Sequence, residues 1–377
     1  MIYLDHNATT PPAPEVVKAM NDCLSQTWGN PSSLHACGQQ ARAVREAARR
    51  ALATLIHAQP ANILFTSGAT EATSQLLLGP LFKSECQPRH LIISAVEHPC
   101  VLEPAHVLES LGWSVTRVGV CAEGRVDPQA VAAAIRPDTA LVSIMLANND
   151  TGVLQPVREI AALARQHRVP LHTDAVQAVG RIPVDFEALG VDYLTLSAHK
   201  FHGPKGVGAL VFRDASAVAP LLFGGSQERA LRAGTENLPG ICGLGAAVQL
   251  ALREMTDNAT RISALRDRLQ AGLFAAFPDA LVNGANAPRV PGTLNITFPG
   301  IDAVTAVMNL DIADIAAATT SACSTASRQP PHVLTAMGLT PELALASLRF
   351  SLGRSNTESE IDRVLATMAE LIPQLRR

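Results

Sequence analysis

Short, nearly continuous apolar runs recur through the middle of the chain, with helical patterns between them. A run of this kind is typical of a strand that is buried on both faces of a sheet. The intervening segments, such as residues 157–167, repeat their apolar positions at helical spacing. This alternation predicts an α/β fold with a mostly parallel central sheet flanked by helices. The predicted strands are Ile63–Thr66, His90–Ser94, Leu141–Met145, Val169–Thr173 and Asp192–Leu196.

The pattern changes after about residue 256, which predicts a second, smaller α+β domain at the carboxyl end. The loop-rich first residues are expected to pack with it. We therefore expect a large α/β domain at 12–256 and a small α+β domain made of 1–11 and 257–377. The length of 377 residues agrees, because it exceeds what one core ordinarily supports. The predicted elements of the small domain are a helix at 261–277, strands at 292–298 and 348–352, and an amphipathic helix at 358–371.

Composition narrows the class of protein. Apolar residues make up 47% of the chain, and the formal net charge is -3. No long basic run is present, so neither nucleic acid nor a membrane is expected as a partner. The first residues lack the basic start and apolar run of a signal peptide, which predicts a cytoplasmic protein. The seven scattered cysteines predict neither a disulfide framework nor a zinc site.

Three groups of chemical interest follow predicted strands. Ser67–Glu71 opens a helix after the first, where backbone N–H groups and the helix dipole favour a phosphate. Asp174 follows the fourth and can pair with a cationic ring nitrogen. Lys200 follows the fifth and can form a Schiff base, with Lys205 as a competitor. Alone, each has a plain alternative: a strand-to-helix turn, a helix N-cap or a solvated lysine. Together they predict a site for pyridoxal 5'-phosphate.

Motifs spread over the whole chain resemble those of the cysteine desulfurases, in the class V aminotransferase superfamily. The resemblance implies a fold type I pyridoxal-phosphate enzyme, with the cofactor in the large domain and the catalytic cysteine loop in the small one. The length between Cys323 and Arg349 resembles the subgroup with a long catalytic loop. The motifs are Tyr3–Pro11, Gly29–Ser33, Thr66–Glu71, Val96–Pro99, Asn148–Gly152, Asp174–Gln177, Ala198–Lys200, Arg232–Asn237, Ser321–Cys323 and Arg349–Arg354.

The resemblance also implies roles for individual residues. Lys200 carries the cofactor, His98 stacks on its ring and takes part in catalysis, and Asp174 pairs with the ring nitrogen. Asn149 contacts cofactor or substrate. Further expected contacts are Gln177 to the phenolic oxygen, Ala69, Thr70, Ser197 and His199 to the phosphate, Thr235 to the phosphate of a partner subunit in a homodimer, and Arg349 to the substrate carboxylate. Each of three residues also has a purely structural alternative. His98 can be a strand-end histidine, Asn149 can shape a turn, and Arg349 can form an interior salt bridge.

Cys323 is the expected sulfur acceptor. The segment 316–331 around it is rich in small and hydroxylated residues and ends at two prolines, which favours a mobile segment. The alternative is a small buried hydrophobe, the usual fate of a free cysteine. Cys100, two residues after His98, ranks well below it as a candidate. No metal site is expected, and transient ligation of an iron–sulfur cluster by Cys323 stays open as an alternative.

The implied reaction converts L-cysteine into L-alanine and leaves a persulfide on Cys323. A sulfur acceptor, such as a scaffold protein for iron–sulfur cluster assembly, then receives the sulfur. Other readings stay open: another class V aminotransferase or carbon–sulfur lyase, a selenocysteine lyase, or a non-catalytic sulfur-relay protein. Three residues depart from the family pattern: Thr320 where glycine is usual, Asp150 where glutamate is usual, and Thr73 where asparagine is common.

Overall fold

The structure, a computed structural model, describes residues 1–82, 87–319 and 329–376, and all that follows concerns these residues. Cys323 and Thr320 lie outside them. The strands are β1 Ile2–Tyr3, β2 Ile63–Thr66, β3 His90–Ser94, β4 Ser114–Val118, β5 Thr139–Ser143, β6 Leu171–Asp174, β7 Tyr193–Ser197, β8 Gly208–Phe212, β9 Leu281–Val282, β10 Thr293–Thr297, β11 Ile315–Ala316, β12 Ala318–Thr319 and β13 Ser347–Ser351.

Helices cover these strands and connect them. The α-helices are α1 Pro14–Gln26, α2 Ala36–Leu55, α3 Ala69–Leu78, α4 Pro99–Ser110, α5 Pro128–Ala134, α6 Val157–Gln166, α7 Phe186–Leu189, α8 Leu238–Ala276, α9 Ala303–Ile312, α10 His332–Ala336, α11 Pro341–Leu345 and α12 Glu358–Leu375. Short 3₁₀ segments are Pro60–Asn62, Gly79–Phe82, Ala198–Lys200, Ala215–Ala217 and Gln227–Ala230. Within the described parts of the chain, no helix has the length and apolarity needed to cross a bilayer.

A seven-stranded sheet forms the centre of the protein, in the order β2-β8-β7-β6-β5-β3-β4. Only β8 runs against its two neighbours, so the predicted α/β fold with a mostly parallel sheet is confirmed. The five predicted strands are all present, and β2 and β3 have the predicted ends. Strands β4 and β8 were not predicted. β4 lies at the sheet edge and is partly exposed, which removes the continuous apolar run that identified the others.

Gly208, the first residue of β8, brings two parts of the site together. A Cβ atom there would lie 2.5 Å from the Leu196 carbonyl oxygen and 2.7 Å from Gly68 Cα. Only glycine lets the backbone of the β2–α3 turn approach the sheet this closely.

The carboxyl-terminal part forms a second, antiparallel sheet in the order β12-β13-β10-β9. The helix predicted at 261–277 is present as the second half of α8, which is one continuous helix of 39 residues that begins earlier than expected, at Leu238. Its first half packs in the large apolar cluster through Leu244, and its second half packs in another cluster through Leu269. That second cluster also contains Leu4 of the amino-terminal segment. The division of the chain at residues 256 and 257 falls within α8 and stays a prediction.

Strand direction decides where the candidate residues meet. Strands β2, β7, β6, β5 and β3 all run the same way, so their carboxyl ends lie along one edge of the sheet. Ligands of open α/β sheets bind at this edge.

Candidate active site

A cavity of about 430 Å³ lies at the carboxyl edge of the central sheet. Its size and its mixture of polar and apolar groups suit a small organic ligand. Its wall includes Ala69, Thr70, His98, Asn149, Asp174, Gln177, Ser197, His199 and Lys200. The structure thus brings together nine residues that lie far apart in the sequence. Arg349 and Thr235 do not line this cavity.

Lys200 extends from the short 3₁₀ turn after β7. Its Nζ atom donates to the main-chain oxygens of Asn7 at 2.6 Å and of Ala8 at 2.9 Å. Burial, reinforced by the nearby guanidinium of Arg181, lowers the pKa of Lys200 to about 8. The competing Lys205 also lines the cavity but is exposed. Because desolvation favours the neutral amine, a larger fraction of Lys200 than of an ordinary lysine is unprotonated near neutral pH, as a nucleophile requires.

Asp174 ends β6 and is buried. Its Oδ1 atom accepts from the Val176 N–H at 2.9 Å. Its Oδ2 atom lies 3.6 Å from the Cys100 Sγ atom, which donates to it. Burial, together with Asp174, raises the pKa of the Cys100 thiol. Cys100 therefore stays protonated and acts as a donor, which makes it a poor nucleophile.

His98 caps the start of α4, where its Nδ1 atom accepts from the Cys100 N–H at 3.1 Å. The other ring nitrogen, Nε2, therefore carries the proton of the neutral imidazole. Burial lowers the pKa of His98 despite the nearby carboxylate of Asp174. A neutral ring is suited to stacking against another aromatic ring and to donating or accepting a proton.

The predicted phosphate cradle lies where α3 begins. The first-turn N–H groups of a helix have no partner within it, so they attract anions. A Cβ atom on Gly68 would lie 3.6 Å from Ser197 Oγ, which places that hydroxyl beside the turn. His199 joins this end of the cavity, and its Nδ1 atom lies 3.1 Å from Thr9 Oγ1. Burial, together with Lys200, lowers the pKa of His199 to about 4, so it is a neutral hydrogen-bonding group.

Arg349 of β13 is buried and held by two carboxylates. Its Nη2 atom lies 2.8 Å from Asp5 Oδ1, and its Nη1 atom lies 3.3 Å from Asp150 Oδ1. Nη1 also donates to the Asn149 carbonyl oxygen at 3.2 Å. The structure therefore shows Arg349 in an interior salt bridge. It contacts Asn149, which lines the cavity, but does not line the cavity itself. Its Nε atom has no hydrogen-bond partner within the described ranges.

Thr235 is exposed and lines a separate cavity of about 290 Å³. That cavity shares Ser67 and Gly206 with the larger one, so the two adjoin. Arg232 of the same motif pairs with Glu71 in the first turn of α3, at 2.8 Å. Thr235 thus lies near the cradle but not in it.

Three residues near the site had no role assigned from the sequence; two of them, Asn7 and Glu97, are buried. Asn7 and Arg181 surround the Lys200 backbone and amine, and Asn7 belongs to a motif that was quoted without a role. Burial raises the pKa of Glu97, the neighbour of His98, to about 8, so its carboxyl group is protonated near neutral pH. No sequence pattern singled out Arg181. Its contacts with Asn7 and Lys200 are seen only in the folded structure.

The residues present fit pyridoxal 5'-phosphate. A helix start, a carboxylate and a desolvated amine meet in one cavity. Gln177 adds an independent sign: it is buried, its Nε2 atom donates to the Asn7 carbonyl at 3.0 Å, and its Oε1 atom has no partner among the described residues. A buried amide oxygen without a hydrogen-bond partner in a cavity wall indicates a ligand that supplies that partner. Across 1–82, 87–319 and 329–376, no three His, Cys, Asp or Glu side chains are grouped as metal ligands.

Comparison with known proteins defines the class. The family model "Aminotransferase class-V" matches residues 2–364. "Cysteine desulfurase IscS" of Dictyoglomus turgidum is 43% identical over 375 residues, which is 100% of this chain and 95% of that protein. A solved "NifS-like protein" is 36% identical with a TM-score of 0.92, covering 99% of this chain and 100% of the other. "SspA in complex with cysteine" is 34% identical with a TM-score of 0.83, covering 95% and 100%.

The protein is therefore a pyridoxal-phosphate enzyme of fold type I. More narrowly, the chain belongs to the class-V aminotransferase family and, within it, to the cysteine desulfurases.

Proposed function

We propose that the protein takes sulfur from L-cysteine, releases L-alanine and leaves the sulfur as a persulfide on Cys323. The observation that carries this proposal is the meeting of Lys200, Asp174 and the α3 start in one cavity. Bound pyridoxal phosphate supplies an electron sink that allows the Cα proton of an amino acid to be removed. Cys323 then attacks the sulfur of the substrate, so that the Cβ–S bond breaks and a new S–S bond forms.

In this proposal Lys200 binds the cofactor and, once free, takes the proton from Cα. A pKa of about 8 leaves a useful fraction of the amine unprotonated near neutral pH. Asp174 would pair with the ring nitrogen of the bound cofactor, and the Val176 N–H holds the Asp174 side chain in place. His98 stacks on the ring and offers its Nε2 proton. Ala69, Thr70, Ser197 and His199 hold the phosphate.

Arg349 is proposed to bind the substrate carboxylate, together with Asn149. Both already share one contact, from Arg349 Nη1 to the Asn149 carbonyl oxygen. The unpartnered Nε atom of Arg349 is one donor available to a substrate. Without substrate, Asp5 and Asp150 fix the orientation of the guanidinium plane, because each pairs with one Nη atom.

Replacing Arg349 with lysine is expected to raise KM for L-cysteine by about tenfold or more, because an ammonium cannot present two parallel N–H groups to a carboxylate. Absorbance of the bound cofactor should not change. Steady-state kinetics of alanine release measure the effect. The matched control is Arg354→Lys, the same change in the same motif, at an arginine that pairs with Glu254 at 3.0 Å. Equal KM values for wild type and Arg349→Lys would leave Arg349 as an interior ion pair only.

The persulfide is proposed to pass to a sulfur-acceptor protein, with a scaffold for iron–sulfur cluster assembly as the first candidate. The support is the relative from D. turgidum, whose name is that of an IscS desulfurase. We further propose that the protein acts in the cytoplasm as a homodimer in which Thr235 reaches the partner's phosphate site. The exposure of Thr235 beside the cradle supports this arrangement.

The proposed function is tested with purified protein and its products. The protein should be yellow with bound cofactor and lose that colour with borohydride, because reduction removes the bond to Lys200. With L-cysteine and a reductant it should form sulfide and L-alanine in equal amounts. Pyruvate in place of alanine would identify a lyase, and an oxo acid with an aminated cofactor would identify an aminotransferase. Either result would contradict the proposal.

A further inference from the structure

Asn7 lies between two parts of the protein. On one side are strands β10 and β13 of the small antiparallel sheet, and on the other is the 3₁₀ turn that carries Lys200 after β7. Asn7 is only 2% exposed. A buried asparagine must place its polar groups on partners, since each unpaired group costs free energy. Asn7 does so with six hydrogen bonds, which go to Ser351, Thr293, Asn149, Gln177, Lys200 and Arg181.

Two of these bonds join Asn7 to the small sheet, and a third goes to Asn149. The Asn7 N–H donates to Ser351 Oγ of β13 at 2.9 Å. Its Nδ2 atom donates to Thr293 Oγ1 of β10 at 2.9 Å and to the Asn149 carbonyl oxygen at 2.9 Å. Asn7 is therefore fixed in position by strands that do not belong to the central sheet.

Of the other three bonds, one comes from Lys200 and two come from Gln177 and Arg181. The Asn7 carbonyl oxygen accepts from Lys200 Nζ at 2.6 Å and from Gln177 Nε2 at 3.0 Å. Ala8 adds a second carbonyl oxygen, 2.9 Å from Lys200 Nζ. Two carbonyl oxygens on one ammonium form a receptor for a positive charge, because each lone pair replaces a lost water.

Arg181 completes the arrangement. Its Nη1 atom donates to Asn7 Oδ1 at 2.5 Å, and its Nη2 atom donates to the Lys200 carbonyl oxygen at 3.2 Å. The same guanidinium therefore ties the Asn7 side chain to the Lys200 backbone. The carbonyl receptor and the lysine cannot drift apart without breaking these bonds.

We propose that Asn7 is a positioning residue for Lys200: its carbonyl oxygen and that of Ala8 receive the Lys200 amine whenever this is not bonded to the cofactor, and its side chain holds that receptor in place. This rests on the proposed function of Lys200. The receptor keeps the free amine beside the cavity and stabilises the ammonium that forms when Lys200 has taken a proton. Removing the Asn7 side chain removes its bonds to Thr293, Asn149 and Arg181, so the two carbonyl oxygens are no longer held in place, while Lys200 itself is unchanged.

The first test measures exchange of the L-alanine Cα proton with deuterium from solvent, followed by NMR in the holoenzyme. This exchange needs Lys200 as a base and does not need Cys323, so it isolates the lysine. In Asn7→Ala the exchange rate per bound cofactor should fall about tenfold or more, since small misplacements of a catalytic group are costly. Thr293→Val is the matched control: it removes only the Asn7 bond to β10 and should stay within about threefold of wild type.

The second test does not depend on turnover. Trace acylation of the full chain without cofactor, resolved by peptide mass spectrometry, compares Lys200 with the exposed Lys205 as internal reference. Loss of the receptor disfavours the ammonium, so the pKa of Lys200 should fall further. Its labelling relative to Lys205 at pH 7 should rise about threefold or more in Asn7→Ala. Asn7→Ser, which keeps one hydroxyl, should give a smaller change in the same direction and replaces Asn7→Ala if that variant does not fold.

Unchanged exchange and unchanged labelling in the folded Asn7 variants would overturn the proposal. So would an equal loss in Thr293→Val, because this would indicate general loosening rather than an effect on Lys200. Failure of the proposed function is a separate result: wild-type protein would then bind no cofactor and exchange no alanine proton.

Discussion

Replacing Lys200 with alanine is expected to abolish sulfide and alanine formation, with a loss of about a thousandfold or more in kcat/KM. The reason is that both functions proposed for Lys200 are lost together: the covalent attachment of the cofactor and the removal of the Cα proton. The variant should also lack the absorbance that borohydride removes from wild type. Absorbance spectra and product assays on the same preparation measure both losses.

Lys205→Ala is the matched control for this change. Lys205 lies five residues further along the same glycine-rich turn and lines the same cavity, but it is exposed. Its replacement should preserve the borohydride-sensitive absorbance. If Lys205→Ala lost that absorbance and Lys200→Ala kept it, the two lysines would exchange roles, which the sequence alone left open.

The buried environment explains why Lys200 rather than Lys205 is expected to react. Burial and Arg181 lower the pKa of Lys200 to about 8. Activity that depends on the neutral amine should therefore rise as pH increases through about 8 and level off above it.

The sequence was sufficient to predict the cofactor cavity because its parts follow strands. Continuous apolar runs identified β2, β6 and β7, and the carboxyl ends of strands that run the same way meet along one edge. Residues that directly follow such runs, Asp174 and Lys200 among them, are therefore expected to lie close together.

The parts that could not be predicted depend on contacts between distant segments. Asn7 lies in the loop-rich start of the chain, where no periodicity indicates a neighbour, and its partners come from both sheets. The burial of Arg349 between Asp5 and Asp150 likewise requires the segment just after β1 to lie beside β13. The continuity of α8 was missed because its two halves face different cores, which interrupts the apolar pattern.

Asp150 shows how a departure from the family pattern can be read once contacts are known. Its Oδ1 atom accepts from Asn149 Nδ2 at 2.9 Å and pairs with Arg349. Burial raises the pKa of Asp150 despite the nearby guanidinium. The side chain therefore serves to hold the two proposed substrate-binding residues, and its shorter length leaves that connection intact.

Replacing Cys323 with serine is expected to abolish sulfide release from L-cysteine, with a loss of about a thousandfold or more, because a hydroxyl cannot accept sulfur as a persulfide. Cofactor absorbance should be that of wild type. Exchange of the L-alanine Cα proton should also continue, since this step depends on Lys200. The combination of intact exchange and lost sulfide release assigns Cys323 to sulfur transfer alone.

Cys100→Ser and Cys121→Ser provide the controls for this assignment. Cys121 is exposed and is not part of the cavity wall, so its replacement tests whether an exposed thiol, rather than Cys323, carries the sulfur. Cys100 lines the cavity, but its raised pKa and its bond to Asp174 disfavour the thiolate. Both variants should form a persulfide that mass spectrometry locates on the peptide containing Cys323. A persulfide found instead on the Cys100 peptide, or full sulfide release by Cys323→Ser, would transfer the role of acceptor away from Cys323.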